Sequence, residues 1–345
     1  MWVAVVVPVA GFWSMMARGA APSSVIDCPP LPINGPLGWW HDILGVDAFD
    51  VTLGAGIKVG VADTGAGPHP SLAHATLVGA FLDGKVLPGA AAADVDVHGT
   101  HVTGIVGARP TRPKDYGGIA PGCDIAVCRI FRGPHDGASN ADIANAIDAL
   151  SKGYQADIIN LSLGATIASE IVHDAIIDAA ERGTLCVCAA GNDASAVNYP
   201  RAFPEAFAVG AVGIQGWGPP GSVAASRLPS EQNLFGSRNL FVANFCSNGN
   251  QVRCAAPGVG IISTVPNRFS AEILHAALDG TSMACPATTG ALAVLLSRDA
   301  AYRVLPRDRS RSDAARRILT AALRDVSLPP TYAGRGIPAL QVPVS

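Results

Sequence analysis

The chain has 345 residues, of which 49% are hydrophobic and only 15% are charged. About a quarter of a soluble domain is usually charged, so this composition excludes a disordered, collagen-like or coiled-coil protein and predicts a deeply buried core. The formal net charge of −3 gives no basic excess for binding phosphate backbones, so no nucleic acid is expected as a partner.

The first 37 residues are predicted to form an N-terminal extension ahead of a single domain over residues 38–345. Met1 to Ala17 is apolar, and small residues up to Ala21 follow it, as in a secretory signal peptide. However, no Lys or Arg precedes the apolar run, and Pro8 interrupts it. Secretion through Met1 to Ala21 and cytoplasmic residence stay as equal alternatives. No other stretch is predicted to form a stable transmembrane span.

Beyond the extension, short apolar runs alternate with segments in which apolar residues recur at helical spacing. The runs predict strands and the spacing predicts helices, with strands at 57–62, 124–130, 157–164, 184–190, 206–212 and 259–264, and helices at 140–152, 169–182 and 280–297. This alternation predicts an α/β fold with a parallel sheet covered on both faces. Ligands of such sheets bind at the carboxyl ends of the strands, where Asp63 and Asn192 stand.

Three motifs have several interpretations when each is taken alone. Asp63-Thr-Gly is half of an aspartic protease signature, but no second copy occurs. His98-Gly-Thr-His101 has the spacing of a metal-binding pair, but a third ligand with suitable spacing is not evident, so no metal site is predicted. Ser282 opens a long apolar helix, where it is either a helix cap or a nucleophile.

Taken together, these residues form the set that acyl transfer requires. Ser282 is the candidate nucleophile and His98 the general base that takes its proton. Asp63 would fix the imidazole tautomer and stabilise its charged form. Asn192 would donate its amide N–H to the tetrahedral oxyanion, together with the backbone N–H of Ser282.

The motifs and their order resemble those of the subtilisin-like serine proteases, the subtilases. The matches span about residues 38–300 and are Val59-Gly-Val-Ala-Asp63-Thr-Gly, His98-Gly-Thr-His-Val-Thr-Gly104, Ile159-Asn-Leu-Ser-Leu-Gly164, Ala189-Ala-Gly-Asn192, Tyr199-Pro, Val209-Gly-Ala-Val212, Ala256-Pro-Gly258 and Gly280-Thr-Ser282-Met-Ala. The resemblance implies a three-layer α/β/α fold with a mainly parallel central sheet. It also implies a serine endopeptidase that acts on protein or peptide substrates without a cofactor.

The same resemblance implies a set of substrate-binding residues. The primary specificity pocket would be lined by Ser162, Leu163 and Gly164, and part of its wall would be formed by Ala189, Ala190 and Gly191. The substrate backbone would bind as an extended strand between two segments of the protein. One is Ser162 to Gly164, and the other consists of Gly137, Ala138 and Ser139.

Some features depart from the family pattern. Cys285-Pro286-Ala287 stands where the family usually has Ser-Pro-His, which removes a structural contact and leaves the triad intact. Arg201 follows Tyr199-Pro where a small residue is common. A surface arginine is the favoured interpretation, and selection of an acidic residue before the cleaved bond is the alternative. Residues 109–118 lack the Asn- and Asp-rich loop with which many members hold calcium, so structural calcium is not indicated.

The remaining expectations concern the two ends of the chain, the cysteines and the reaction. Asp27 to Gly35 is expected to be either part of a leader or a short inhibitory segment. The arginines of 303–324 are predicted to form a solvated helix face. Cys246 and Cys254 flank a turn-rich segment that allows a disulfide between them, and the sequence leaves open whether they are bridged. A precursor-processing or peptide-cyclising protease and a catalytically silent peptide-binding protein stay as alternatives to a general endopeptidase.

Overall fold

The computed structural model describes residues 38–47, 50–112, 115–134, 136–165, 167–218, 220–267 and 274–340. The predicted N-terminal extension lies outside these residues, so its function as a signal or inhibitory segment stays a prediction, and Cys28 lies there as well. Within the described ranges, no helix combines the length and the apolar character needed to cross a membrane.

A nine-stranded sheet forms the centre of the fold. Its strands are β1 (Lys58–Asp63), β2 (Thr76–Leu82), β3 (Lys85–Leu87), β4 (Asp124–Arg129), β5 (Ile158–Leu161), β6 (Leu185–Ala189), β7 (Phe207–Ile214), β8 (Leu240–Val242) and β9 (Val252–Pro257). They lie in the order β3-β2-β4-β1-β5-β6-β7-β8, and β9 also pairs with β7. The pairs of β2 with β3 and of β7 with β8 are antiparallel, and the other pairs are parallel.

Helices cover both faces of this sheet. They are α1 (Trp39–Leu44), α2 (His98–Gly107), α3 (Asn140–Asp148), α4 (Glu170–Glu181), α5 (Thr281–Arg298), α6 (Ala300–Arg303), α7 (Arg309–Ala321) and α8 (Pro330–Ala333). Side chains alternate between the faces along each strand. Val59 and Val61 of β1 therefore pack in the cluster that holds residues of α2 and α5, whereas Ala62 packs in the cluster that holds residues of α3 and α4. The predicted three-layer α/β/α fold is confirmed.

The strands that sequence patterns missed or misplaced depend on long-range pairing. The run at 259–264 contains β10 (Ile261–Thr264), which pairs antiparallel with β11 (His275–Leu278) outside the central sheet. Another two-stranded sheet joins β12 (Leu323–Arg324) to β13 (Ile337–Pro338). Strands β2, β3, β8 and β9 were not predicted. β3 and β8 are only three residues long, and the apolar runs of β2 and β9 contain Gly79 and Arg253.

The prediction of a solvated arginine face is wrong for Arg311, which lies on the buried side of α7, and for the half-buried Arg307, which precedes that helix. Arg311 is buried, and its Nε donates to Asp157 Oδ1 at 2.9 Å. Arg307 Nη1 and the Tyr302 hydroxyl donate to the same oxygen, each at 3.2 Å. These hydrogen bonds satisfy the buried Asp157 side chain and connect α7 to the sheet at the start of β5.

The disulfide that the sequence left open between Cys246 and Cys254 does not form. Cys246 and Cys254 are both buried free thiols. The backbone N–H of Ala211 donates to Cys246 Sγ at 3.2 Å, whereas Cys254 Sγ lies 3.8 Å from Thr288 Oγ1. The turn between the two cysteines therefore directs their side chains to different partners, and each thiol packs as a small apolar group.

Candidate active site

Asp63 and His98 form a buried pair at the carboxyl end of β1. Asp63 is the last residue of β1, and His98 is the first residue of α2. His98 Nδ1 lies 2.8 Å from Asp63 Oδ1, and the exposed fractions of the two residues are 4% and 1%. The backbone N–H of Thr64 donates to the same carboxylate oxygen at 2.7 Å. This contact engages Nδ1 and fixes the ring so that Nε2 lies on the side opposite Asp63.

Thr64 and Asp94 support this pair, and sequence analysis did not find their role. The Thr64 hydroxyl accepts the N–H of Gly99 and donates to Asp94 Oδ1, both at 2.8 Å. Asp94 also accepts the N–H of Thr100 at 2.9 Å and the hydroxyl of Thr100. Burial raises the pKa of Asp94 to about 6. The network ties the first turn of α2 to the turn after β1.

Gly65 allows this turn to lie close to its neighbours. Its φ is +110°, which side chains rarely adopt, and a Cβ there would meet the backbone carbonyl of Ala93 at 2.8 Å. The glycine of the Asp63-Thr-Gly motif is therefore required by close backbone packing, and the candidate catalytic carboxylate sits directly before it.

Ser282 is the second residue of α5 and is joined to the pocket segment by two hydrogen bonds. Its hydroxyl donates to the carbonyl of Ser162 at 3.3 Å, and the hydroxyl of Ser162 donates to the carbonyl of Ser282 at 2.9 Å. In a regular helix that carbonyl would accept the N–H of residue 286, but Pro286 has none. The proline therefore frees the Ser282 carbonyl to bind the residue that follows β5.

Asn192 follows β6 and is oriented by Thr281. The backbone N–H and the hydroxyl of Thr281 both donate to Asn192 Oδ1, at 2.9 and 2.8 Å. The Asn192 amide nitrogen therefore points away from Thr281. A Cβ built on Gly280 would lie 3.4 Å from this nitrogen and 3.5 Å from the backbone nitrogen of Ser282, so both donors border one small space. Sequence analysis had found Asn192 but not the role of Thr281.

Sheet register brings the two halves of the site together. β1 and β5 are adjacent parallel strands, so Asp63 and Ser162 lie at the same edge of the sheet. Ser282 bonds to Ser162, and β6, which precedes Asn192, pairs with β5. The structure therefore gathers all four predicted catalytic residues at the carboxyl edge of β1, β5 and β6.

The predicted pocket residues form two neighbouring segments. Those that follow β5 are Ser162, Leu163 and Gly164, and those at the end of β6 are Ala189, Ala190 and Gly191. The third predicted segment, Gly137 to Ser139, lies ahead of α3, with Gly137 and Ser139 exposed and Ala138 half-buried. The Ser139 hydroxyl caps α3 by accepting the N–H of Asp142 at 3.1 Å. The Ser139 side chain is thus used as a helix cap, while the residue itself lies at the surface.

Arg201 is not a surface residue, contrary to the favoured prediction. It is 3% exposed, and its guanidinium lies against Gly164 and Gly191. The cis peptide bond between Tyr199 and Pro200 precedes it. Burial lowers the pKa of Arg201 to about 10, so the side chain stays charged at neutral pH. Sequence reasoning placed Arg201 near the pocket, but a single sequence carried no signal for its burial.

His101 has a structural role in the arrangement of the site. Its Nε2 lies 3.0 Å from the carbonyls of Ile261 and of Ala276, so it links α2 to both β10 and β11. Burial lowers the pKa of His101 to about 3, which keeps the ring neutral. Among the described residues, no cluster of three or more His, Cys, Asp or Glu side chains is placed to hold a metal ion.

Comparison with known proteins identifies the family. The sequence pattern of the subtilase family matches residues 54–334. The chain belongs to the subtilase family. It is 33% identical to the minor extracellular protease Epr of Bacillus subtilis (strain 168) over 254 aligned residues. The aligned region covers 72% of this chain and 33% of Epr. The chain thus spans about a third of that relative's length.

Two further subtilase relatives match most of the chain. The major intracellular serine protease of Bacillus subtilis (strain 168) is 30% identical over 298 residues, which cover 84% of this chain and 83% of that protein. The crystal structure of fervidolysin from Fervidobacterium pennivorans, a keratinolytic enzyme related to subtilisin, has a TM-score of 0.71 and 26% identity, covering 89% of this chain and 46% of that chain. The prediction of a serine endopeptidase is confirmed at the level of the family. Neither a peptide-cyclising protease nor a catalytically silent peptide-binding protein is needed to explain the matches.

Proposed function

We propose that this subtilase hydrolyses peptide bonds through an acyl-enzyme on Ser282, with His98 as general base and Asp63 as the group that orients it. The observation that carries the proposal is the buried 2.8 Å contact between His98 Nδ1 and Asp63 Oδ1, at the same sheet edge as Ser282. The carboxylate selects the tautomer in which His98 Nε2 can accept a proton. The proposed reaction uses groups of the protein and water, without a cofactor.

In the first step, the Ser282 hydroxyl leaves the Ser162 carbonyl and attacks the scissile carbonyl carbon. Its proton passes to His98 Nε2, and an oxygen–carbon bond forms. The tetrahedral intermediate then collapses, the carbon–nitrogen bond breaks, and His98 gives the proton to the departing amine. Water, deprotonated by His98, attacks the acyl-enzyme in the same manner and releases the acid product with Ser282 restored.

Asn192 is proposed to stabilise the oxyanion that forms in both steps. Thr281 holds the side-chain oxygen of Asn192 with two hydrogen bonds, so the amide N–H is pre-oriented before substrate binds. The backbone N–H of Ser282 borders the same space. Donors fixed in this way stabilise negative charge more than mobile water does, because they need no reorganisation during the reaction.

The substrate is proposed to bind as an extended strand between two backbone segments. One segment is Ser162 to Gly164, directly after β5, and the other is Gly137 to Ser139 on the surface ahead of α3. Pairing of this kind uses main-chain groups and so fits many peptide sequences. Side-chain selectivity then depends on the pocket between Gly164 and Gly191.

Labelling with a fluorophosphonate tests the proposal directly. The intact protein should be labelled once, at Ser282, and should release peptides from a denatured protein substrate. Ser282→Ala should abolish labelling and lower turnover by about 10⁶-fold. Ser297→Ala is a matched control in the same helix, since the Ser297 hydroxyl only donates to the Val294 carbonyl at 2.8 Å. Absence of labelling in the folded intact protein would refute the proposed function.

A further inference from the structure

The guanidinium of Arg201 occupies the space between the two predicted pocket segments. A Cβ built on Gly164 would lie 3.0 Å from Arg201 Cζ, and a Cβ built on Gly191 would lie 2.9 Å from the same atom. These glycines follow β5 and β6, which are adjacent parallel strands. The charged group is therefore placed between the two segments, at the position where side chains on Gly164 and Gly191 would begin.

This buried cation has hydrogen-bonding capacity that the protein does not use. Arg201 is 3% exposed, and both its Nε and its Nη1 are buried without a hydrogen-bond partner. None of the ion pairs among the described residues involves Arg201. A charged group removed from water in this way is unfavourable unless a partner of opposite charge completes it. An anionic group in contact with the guanidinium would supply the missing partner.

The nearest acidic side chain does not supply that partner. Asp193 interacts electrostatically with Arg201, yet Asp193 Oδ1 is itself buried without a hydrogen-bond partner. Burial raises the pKa of Asp193 and the charge of Arg201 lowers it, but no hydrogen bond or ion pair among the described residues joins the two side chains. The thiols of Cys188 and Cys246 also face Arg201, and burial raises the pKa of both, so they remain neutral. The cation thus lacks a complete counter-charge inside the fold.

We propose that Arg201 is a specificity-determining residue that selects substrates with Asp or Glu on the acyl side of the cleaved bond. The inference rests on the proposed function, because it assigns a preference to the same pocket. A substrate carboxylate that reaches the guanidinium beside Gly164 and Gly191 would accept hydrogen bonds from it, because the planar donors of arginine match a carboxylate. A neutral amide of the same shape would leave the buried charge unpaired and is therefore rejected.

Matched peptide substrates test this preference. Four quenched fluorescent peptides that differ only before the cleaved bond, with Glu, Gln, Leu or Ala, are compared by kcat/KM. We expect kcat/KM for Glu to exceed that for Gln by about tenfold to a hundredfold, the size of the loss when a hydrogen bond to a charged group is removed. Arg201→Gln should remove the difference between Glu and Gln. Arg309→Gln is a matched control, since its side chain is 42% exposed on α7 and away from the pocket.

A charge swap gives a second, independent test. Arg201→Glu should lower cleavage after Glu and raise cleavage after Lys, because the sign of the buried charge is reversed. Fluorophosphonate labelling of each variant confirms that its active site is assembled. Labelling of Ser282 together with equal cleavage after Glu and Gln, or a preference for Ala or Leu, would overturn the role of Arg201 alone. A protein that is not labelled and cleaves none of the peptides would instead overturn the proposed function.

Discussion

Thr64→Val tests whether the network behind the Asp63–His98 pair positions the general base. Valine has nearly the shape of threonine but cannot accept the N–H of Gly99 or donate to Asp94, and both of those bonds are 2.8 Å long. The backbone N–H of Thr64, which bonds to Asp63, is unchanged. The substitution therefore removes the link between the carboxylate turn and the first turn of α2 without removing a catalytic group.

The size of the effect follows from the burial of these groups. The Gly99 N–H would be left without its partner inside the protein, at a cost of about 1–3 kcal/mol, and Asp94 would lose one of its donors. We expect the free energy of unfolding to fall by about 2–4 kcal/mol. Because Gly99 follows His98 directly, the ring should also lose its fixed position, and kcat should fall by about tenfold to a hundredfold.

Stability is measured by urea unfolding in a Ser282→Ala background, which prevents self-digestion, and kcat in the active protein. Thr103→Val is a matched control in α2, because the Thr103 hydroxyl only donates to the carbonyl of Gly99 at 2.7 Å and its removal leaves no N–H unsatisfied. It should cost less than about 1.5 kcal/mol and should not change kcat. Equal losses of stability and activity in the two variants would refute the positioning role of Thr64.

Two further predictions concern the oxyanion donor and the response to acid. Asn192→Ala should lower kcat by about 10²–10³, as the equivalent change does in subtilisin, with little change in KM; a change confined to KM would contradict the assignment. Burial lowers the pKa of His41 to about 4, while its Nδ1 accepts the N–H of Gly38 at 3.2 Å. Below pH 6.5, therefore, the unfolded chain binds a proton at His41 that the folded protein binds only near pH 4. As the pH falls from 6.5 towards 4, the free energy of unfolding should decrease by about 3 kcal/mol because of this group. Urea unfolding is measured from pH 7 to pH 4 in the Ser282→Ala background. The free energy of unfolding should decrease less with falling pH when His41→Gln is added, and an unchanged pH dependence would refute this prediction.

Much of the site was predictable because its candidate catalytic residues belong to short sequence motifs. Asp63 ends an apolar run, Asn192 follows another, and Ser282 opens a long apolar helix, so each of these candidate catalytic residues adjoins an element whose type the sequence indicates. The predicted strand at 57–62 and the observed Lys58–Asp63 differ by one residue at each end. The order of the motifs then identified the family before any distances were known.

The supporting residues were less predictable, because their roles depend on segments that are distant in sequence. Thr64 reaches Asp94 across 30 residues, and Ser162 reaches Ser282 across 120. The hydroxyl residues that adjoin the motifs, Thr64 after Asp63 and Thr281 before Ser282, were the available signal. Nothing local showed which partner each hydroxyl would meet.

The sequence by itself determined the α/β class, the family and the four candidate catalytic residues, since strand periodicity and motif chemistry are local properties. Only the tertiary structure decided that Arg201 is buried against Gly164 and Gly191, that Arg311 is on the buried side of α7, and that Cys246 and Cys254 have different partners. Burial and hydrogen bonding depend on which distant segment packs against a residue. Arg201 was expected at the surface, but this packing buries it between the two segments of the proposed specificity pocket.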